Sequence, residues 1–153
     1  MHQYFAQVAW QRGDQAFSDN KYSRGHQWTF DGGLCVPASS SPLSVPLPLS
    51  VEANLDPEEA LIAALSSCHM LFFLSFACKQ GFRVDSYEDK ASGIMEKNAA
   101  GKMAITRITL APHVVFSGDK QPTREDIDTL HHQSHEHCYI ANSINAEVII
   151  EAV

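Results

Sequence analysis

The chain has 153 residues, 44% of them hydrophobic and 19% charged, with a formal charge of −7. That length carries one domain with a core, and the composition is globular rather than disordered. The acidic balance excludes a basic phosphate-facing surface and a polybasic patch for anionic lipid, so no nucleic-acid or membrane partner is expected.

The stretch Met1 to Val8 has no basic start, no long apolar run and no small-residue cleavage site. No signal peptide is expected, and a cytoplasmic location follows. No repeat, low-complexity tail or domain boundary is visible, so residues 1–153 are read as a single domain. Tyr4 to Ala9 and Lys21 to Asp31 read as strands, the second alternating Tyr22, Arg24, His26, Trp28 and Phe30 on one side. The Asp31-Gly32-Gly33 that follows is a hairpin signal. Pro37 to Pro48 is too rich in serine and proline for a central strand and reads as a loop.

A long helix comes next. Asp56 is a good N-cap, Pro57 fits the first helical position and Glu59 the capping-box position. Glu58 and Glu59 complement the positive end of the helix dipole, and Gly81 is a natural stop after about Gln80. Apolar residues between Ala60 and Cys78 cover almost the whole circumference. The stretch approaches bilayer length, but Ser66, Ser67, His69 and Ser75 and the acidic cap favour a helix wrapped by protein, with a second subunit expected to cover part of it. Phe82 to Met95 and Met103 to Phe116 then read as two strands joined by Glu96 to Lys102. A second helix is capped by Thr123 and runs to about His137, and Asn145 to Val153 closes as a strand. This order is an α+β plan.

Four cysteines, Cys35, Cys68, Cys78 and Cys138, include no Cys-x-x-Cys pair. In a reducing compartment they rest as thiols, and any disulfide is transient and catalytic. By position alone Cys68, midway along the apolar helix, reads first as a small buried hydrophobe. Cys138 lies among His131, His132, His135, Glu136 and His137, company that can lower a thiol pKa. Cys78 reads as core and Cys35 as a hairpin or edge residue. A metal site at His131, His135 and Cys138 is the alternative chemistry. However, there is no second cysteine pair and His132 stands where a zincin glutamate would be, so solvated or helix-capping histidines are favoured.

The run Asp56-Pro57-Glu58-Glu59-Ala60-Leu61-Ile62-Ala63-Ala64-Leu65-Ser66-Ser67-Cys68-His69-Met70 resembles the signature of the OsmC/Ohr family, with a cysteine ten residues after an Asx-Pro-Glu cap. His135-Glu136-His137-Cys138-Tyr139-Ile140-Ala141-Asn142-Ser143 resembles the family's second-cysteine motif. The resemblance implies an OsmC-like fold, antiparallel sheets packed around two helices in an intertwined homodimer. It implies a peroxidase that reduces organic hydroperoxides, and hydrogen peroxide less well, with no metal or flavin. Cys68 would be the peroxidatic thiolate and Cys138 the resolving thiol, with an external dithiol as reductant. Glu58 matches the glutamate that holds an activating arginine. Arg24 is the choice for that arginine, with Arg12 as fallback and an exposed strand residue as the plainer account of Arg24. Tyr139 and Ala141 replace a proline and a serine of the better-known branches, and His69-Met70 departs from the phenylalanine-rich Ohr pattern. Leu71, Phe72 and Phe73 are candidates for an apolar substrate pocket. A non-catalytic ligand-binding dimer on the same fold is the competing function.

Overall fold

β1 (Ala6–Ala9), β2 (His26–Phe30) and β3 (Cys35–Ala38) form an antiparallel three-stranded sheet in that order. Asp31 to Leu34 turn the β2–β3 hairpin, where Gly33 takes the left-handed φ of 89° that glycine accepts without strain. β2 starts later than its alternating pattern predicts. The backbone N–H of Arg24 donates to Leu49 instead of a strand partner, which ties this stretch to the serine/proline loop. Pro37 lies inside β3, and is tolerated because β3 is the edge strand. In the computed structural model, which describes residues 1–153, this sheet belongs to one compact unit, Met1–Ala60, and Leu61–Val153 forms a second.

α1 (Pro57–Lys79) starts as its sequence dictates. The Asp56 carboxylate accepts from the Glu59 N–H at 2.7 Å, and the Glu59 carboxylate accepts from the Asp56 N–H at 3.3 Å. Together they close a capping box. Gly81, at φ 80°, ends the helix. Within the second unit α1 buries a stripe at four-residue spacing, Leu65, His69, Phe73 and Ala77. Its other faces are apolar as well, and Leu71 is 60% exposed. By length and hydropathy alone α1 could cross a membrane. Its half-buried Ser66 and buried His69 contacts are those of a helix built into a protein core.

The two strands expected after α1 are four. β4 (Arg83–Asp89) pairs with β7 (Pro112–Ser117), while β5 (Ser92–Lys97), β6 (Met103–Leu110) and β8 (Glu147–Ile150) form another sheet. The break has a local cause. The carboxylate of Asp89, the last residue of β4, accepts the Ala111 N–H at 2.7 Å, and Pro112 has no N–H to continue the β6 ladder. All pairings are antiparallel except β6 with β8, which is parallel. Gly93 on β5 lies under α1: a Cβ there would stand 2.6 Å from Ile62 Cδ1. Gly93→Ala is expected to cost about 1–3 kcal/mol by overpacking. Thermal denaturation checks it, and Ile62→Val, which removes the clashing methyl, should restore most of the loss.

α2 (Arg124–His137) has a capping box at Thr123 and Asp126. The Thr123 N–H reaches the Asp126 carboxylate at 2.8 Å and holds it below the usual carboxylate range. Thr123→Ala should destabilise by about 1 kcal/mol, read from the urea midpoint. Two buried clusters make the core of the second unit. One joins Leu65, Ile108, Leu110 and Cys138; the other joins Phe73, Ala77, Phe82 and Leu130. The whole is an α+β fold.

Candidate thiol site

α1 and α2 bring their cysteines to one place. Cys138 is the C-terminal cap residue of α2 and is completely buried; Cys68, half-buried on α1, packs against the same cluster. Both are free thiols. The two side chains are near enough for Cys68 to raise the proton affinity of Cys138 through hydrogen bonding and charge. Burial is the larger cause, and together these push the Cys138 thiol up to about 11, against the Ala141 N–H that donates to its sulfur at 3.4 Å.

That result corrects the expectation of a Cys138 activated by imidazoles. None of the neighbouring histidines acts on its sulfur, because a helix fans successive side chains in different directions. His132 is exposed, 3.9 Å from Glu136; His137 is exposed, with Nδ1 2.9 Å from the Gln133 carbonyl. His131 turns inward, and its Nδ1 lies 3.0 Å from Nε2 of His69. His131, His135 and Cys138 do not converge into a three-ligand group. Cys78, expected in the core, is exposed on α1, while Cys35 is exposed on edge strand β3. Leu71, Phe72 and Phe73 diverge in the same way: exposed, half-buried and fully buried. They do not line one pocket; Phe73 is core.

The expected charged groups lie in the first unit. Arg24 stacks on the Tyr22 ring at 3.8 Å, and its Nη atoms donate to the carbonyls of Asn20 and Tyr22 and to the Asn20 side chain. It makes no ion pair with Glu58, whose Oε2 is buried without a hydrogen-bond partner. Arg12 donates to the Gln15 carbonyl at 2.9 Å.

The residues missed in the sequence are a buried histidine pair. His69 and His131 are 1% and 4% exposed, their rings 5.3 Å apart and nearly parallel. Burial pushes both down to about 4; His131 and His135 add repulsion at His69. The signal was in the spacing: His69 stands on the 65/69/73/77 stripe, and His131 beside Leu130, on the α2 face that also buries Ser134. Next to this pair Asp89 anchors the helix, accepting from the Ser66 hydroxyl as well as from the Ala111 N–H.

The profile of the OsmC-like protein family matches residues 51–153. The chain belongs to the OsmC-like family. This OsmC-like protein is similar over its full length to an OsmC-like protein of unknown function from Vibrio cholerae, at 55% identity, 100% coverage of both chains and a TM-score of 0.98. At fold level it also resembles the organic hydroperoxide resistance protein OhrB of Bacillus subtilis, at 20% identity, 98% coverage of each chain and a TM-score of 0.67. An organic hydroperoxide resistance protein from Elizabethkingia anophelis aligns at 13% identity, with 99% of this OsmC-like protein and 94% of that chain covered and a TM-score of 0.71. No curated protein sequence matches it.

Proposed function

We propose that the chain is a thiol-dependent peroxidase that reduces organic hydroperoxides with Cys68 and Cys138. The observation that carries this reading is the meeting of the two thiols across α1 and α2, 70 residues apart in sequence, in a family whose fold includes hydroperoxide resistance proteins. The Cys68 thiolate attacks the terminal oxygen of the hydroperoxide. The O–O bond breaks, an alcohol leaves after taking up a proton, and Cys68 becomes a sulfenic acid. Cys138 then attacks that sulfur. Its proton leaves with the hydroxyl as water, and a Cys68–Cys138 disulfide forms. An external dithiol supplies the two electrons that restore both thiols.

An arginine, Arg24 in this proposal, supplies the positive charge that favours the Cys68 thiolate, and Glu58 is the carboxylate that holds it. The partnerless buried oxygen of Glu58 supports a cation arriving there. The chain acts as one functional domain in the cytoplasm, as a homodimer. The exposed apolar residues Leu71 on α1 and Ile94, Met95 and Met103 on β5 and β6 support the second copy. Reduced protein mixed with cumene hydroperoxide should lose two hydrogens in mass within minutes, and peptide mapping should join Cys68 to Cys138. Unchanged thiols after complete exposure to the peroxide would reject the reading.

A further inference from the structure

We infer that the His69–His131 bond is an acid-released latch: it holds α2 on α1, and so holds Cys138 against Cys68, and acidification favours its opening. The latch is a property of the packing; its effect on turnover rests on the two-cysteine reading above.

The geometry is that of a polar contact with nowhere to put a charge. His69 comes from the buried stripe of α1 and His131 from the buried face of α2, and the 3.0 Å bond is the one hydrogen bond either ring makes. One neutral ring donates its N–H to the lone pair of the other. In either tautomer the far nitrogen of His131, Nε2, stays buried without a partner. With His131 as donor, a first proton arriving there creates a buried cation whose new N–H has no acceptor; with His69 as donor, Nε2 already carries that partnerless N–H and the first proton goes to the far nitrogen of His69. A second proton puts two N–H groups face to face, which no hydrogen bond survives.

The groups facing the pair do not rescue it. From α2, Asp128 favours a charge on His131, Arg124 opposes it, and the half-buried His135 repels His69. From β4, Asp89 favours the charge, but both its carboxylate oxygens are engaged, one with Ser66 of α1 and one with Ala111. The Phe73 ring, 4.5 Å from that of His131, offers no acceptor oxygen. Burial outweighs these charges and keeps both rings neutral to about pH 4 in the closed arrangement. An exposed imidazole takes its proton at about 6.5, so at pH 5 one released ring favours opening by about 30-fold over pH 7.5. The consequence for the thiols follows from connectivity: His69 adjoins Cys68, and His131 is two helical turns from Cys138 on the helix that ends there.

Amide hydrogen exchange across 124–137 of the intact protein, corrected for the intrinsic pH dependence, tests the latch. Protection of α2 should fall tenfold or more between pH 7.5 and 5. In His69→Gln/His131→Gln, whose amides can still pair but take no proton, the drop should shrink to less than threefold. Undiminished protection in the parent at pH 5 overturns the proposal, and so does an equal drop in the double variant. If that variant does not fold, the imidazole nitrogen resonances of the parent decide: protonation accompanied by α2 opening supports the latch, and protonation near 6.5 without opening removes it. Peroxide consumption measured alongside separates the two proposals, because α2 opening without turnover at any pH rejects the peroxidase and upholds the latch.

Discussion

Replacement of Cys68 by serine should lower hydroperoxide consumption by on the order of 10³-fold or more, because in the proposed mechanism the Cys68 sulfur is the nucleophile. Cys138→Ser should behave differently. Its first turnover should proceed, leaving a Cys68 sulfenic acid that dimedone traps as a stable adduct, while steady turnover with a dithiol slows. Cys138 is fully buried, so its serine variant places a hydroxyl in the core. The Ala141 N–H that donates to the present sulfur can donate to that hydroxyl, which limits the cost to about 1–2 kcal/mol. Circular dichroism should therefore show a folded variant, and the kinetic contrast between the two cysteines can be read without loss of structure. Equal consumption by Cys68→Ser and the parent would falsify the assignment of the peroxidatic thiol.

Global stability should fall as the solution is acidified from pH 6.5 towards 4. The sign follows from proton uptake. Folding lowers the pKa of His69 from 6.5 to about 4, so within that window the unfolded chain binds a proton that the folded chain refuses. Stability is whole above pH 6.5 and declines as pH drops through the window. One such group amounts to about 3 kcal/mol between the limits. His131 has the same direction and the same burial cause. The pair contributes less than twice one member, because the repulsion that His131 adds at His69 is a single interaction and counts once. Urea midpoints taken at fixed protein concentration from pH 7.5 to 4.5 check this. A flat profile would sink the claim, as would one that falls only below pH 4, where carboxylates titrate.

Much of the fold is legible where local chemistry suffices. The Asp56–Glu59 box, Pro57, Gly81 and the Thr123 cap set helix ends by contacts made within three residues, and the α1 and α2 boundaries follow from them. The strand pattern misleads where a long-range contact intervenes. Residues 82–95 and 103–116 each look continuous, yet Asp89 captures the Ala111 N–H and the chain changes sheet at both places. Pro112 was a visible warning of that break. The meeting of Cys68 and Cys138 is legible only through the family resemblance, since nothing local joins residues 70 apart. The state of Cys138 was not legible. Its histidine-rich neighbourhood is a neighbourhood in sequence, and the helix disperses it, so desolvation decides instead of charge. His69 and His131 are 62 residues apart, and each looks like an ordinary helix residue until the two buried faces are laid together.

The burial of Cys138 also sets the order in which the cysteines meet any reagent. Alkylating agents and most oxidants need an accessible thiolate. Cys35 and Cys78 are on the surface, whereas Cys138 is shut in the core with its proton held. In folded protein, labelling should mark Cys35 and Cys78 well before Cys138. A count of thiols lost after peroxide treatment therefore mixes bystanders with participants unless those two are replaced first. The residue proposed to complete each turnover is thus the one that bulk chemistry finds last, open to little besides the sulfur beside it.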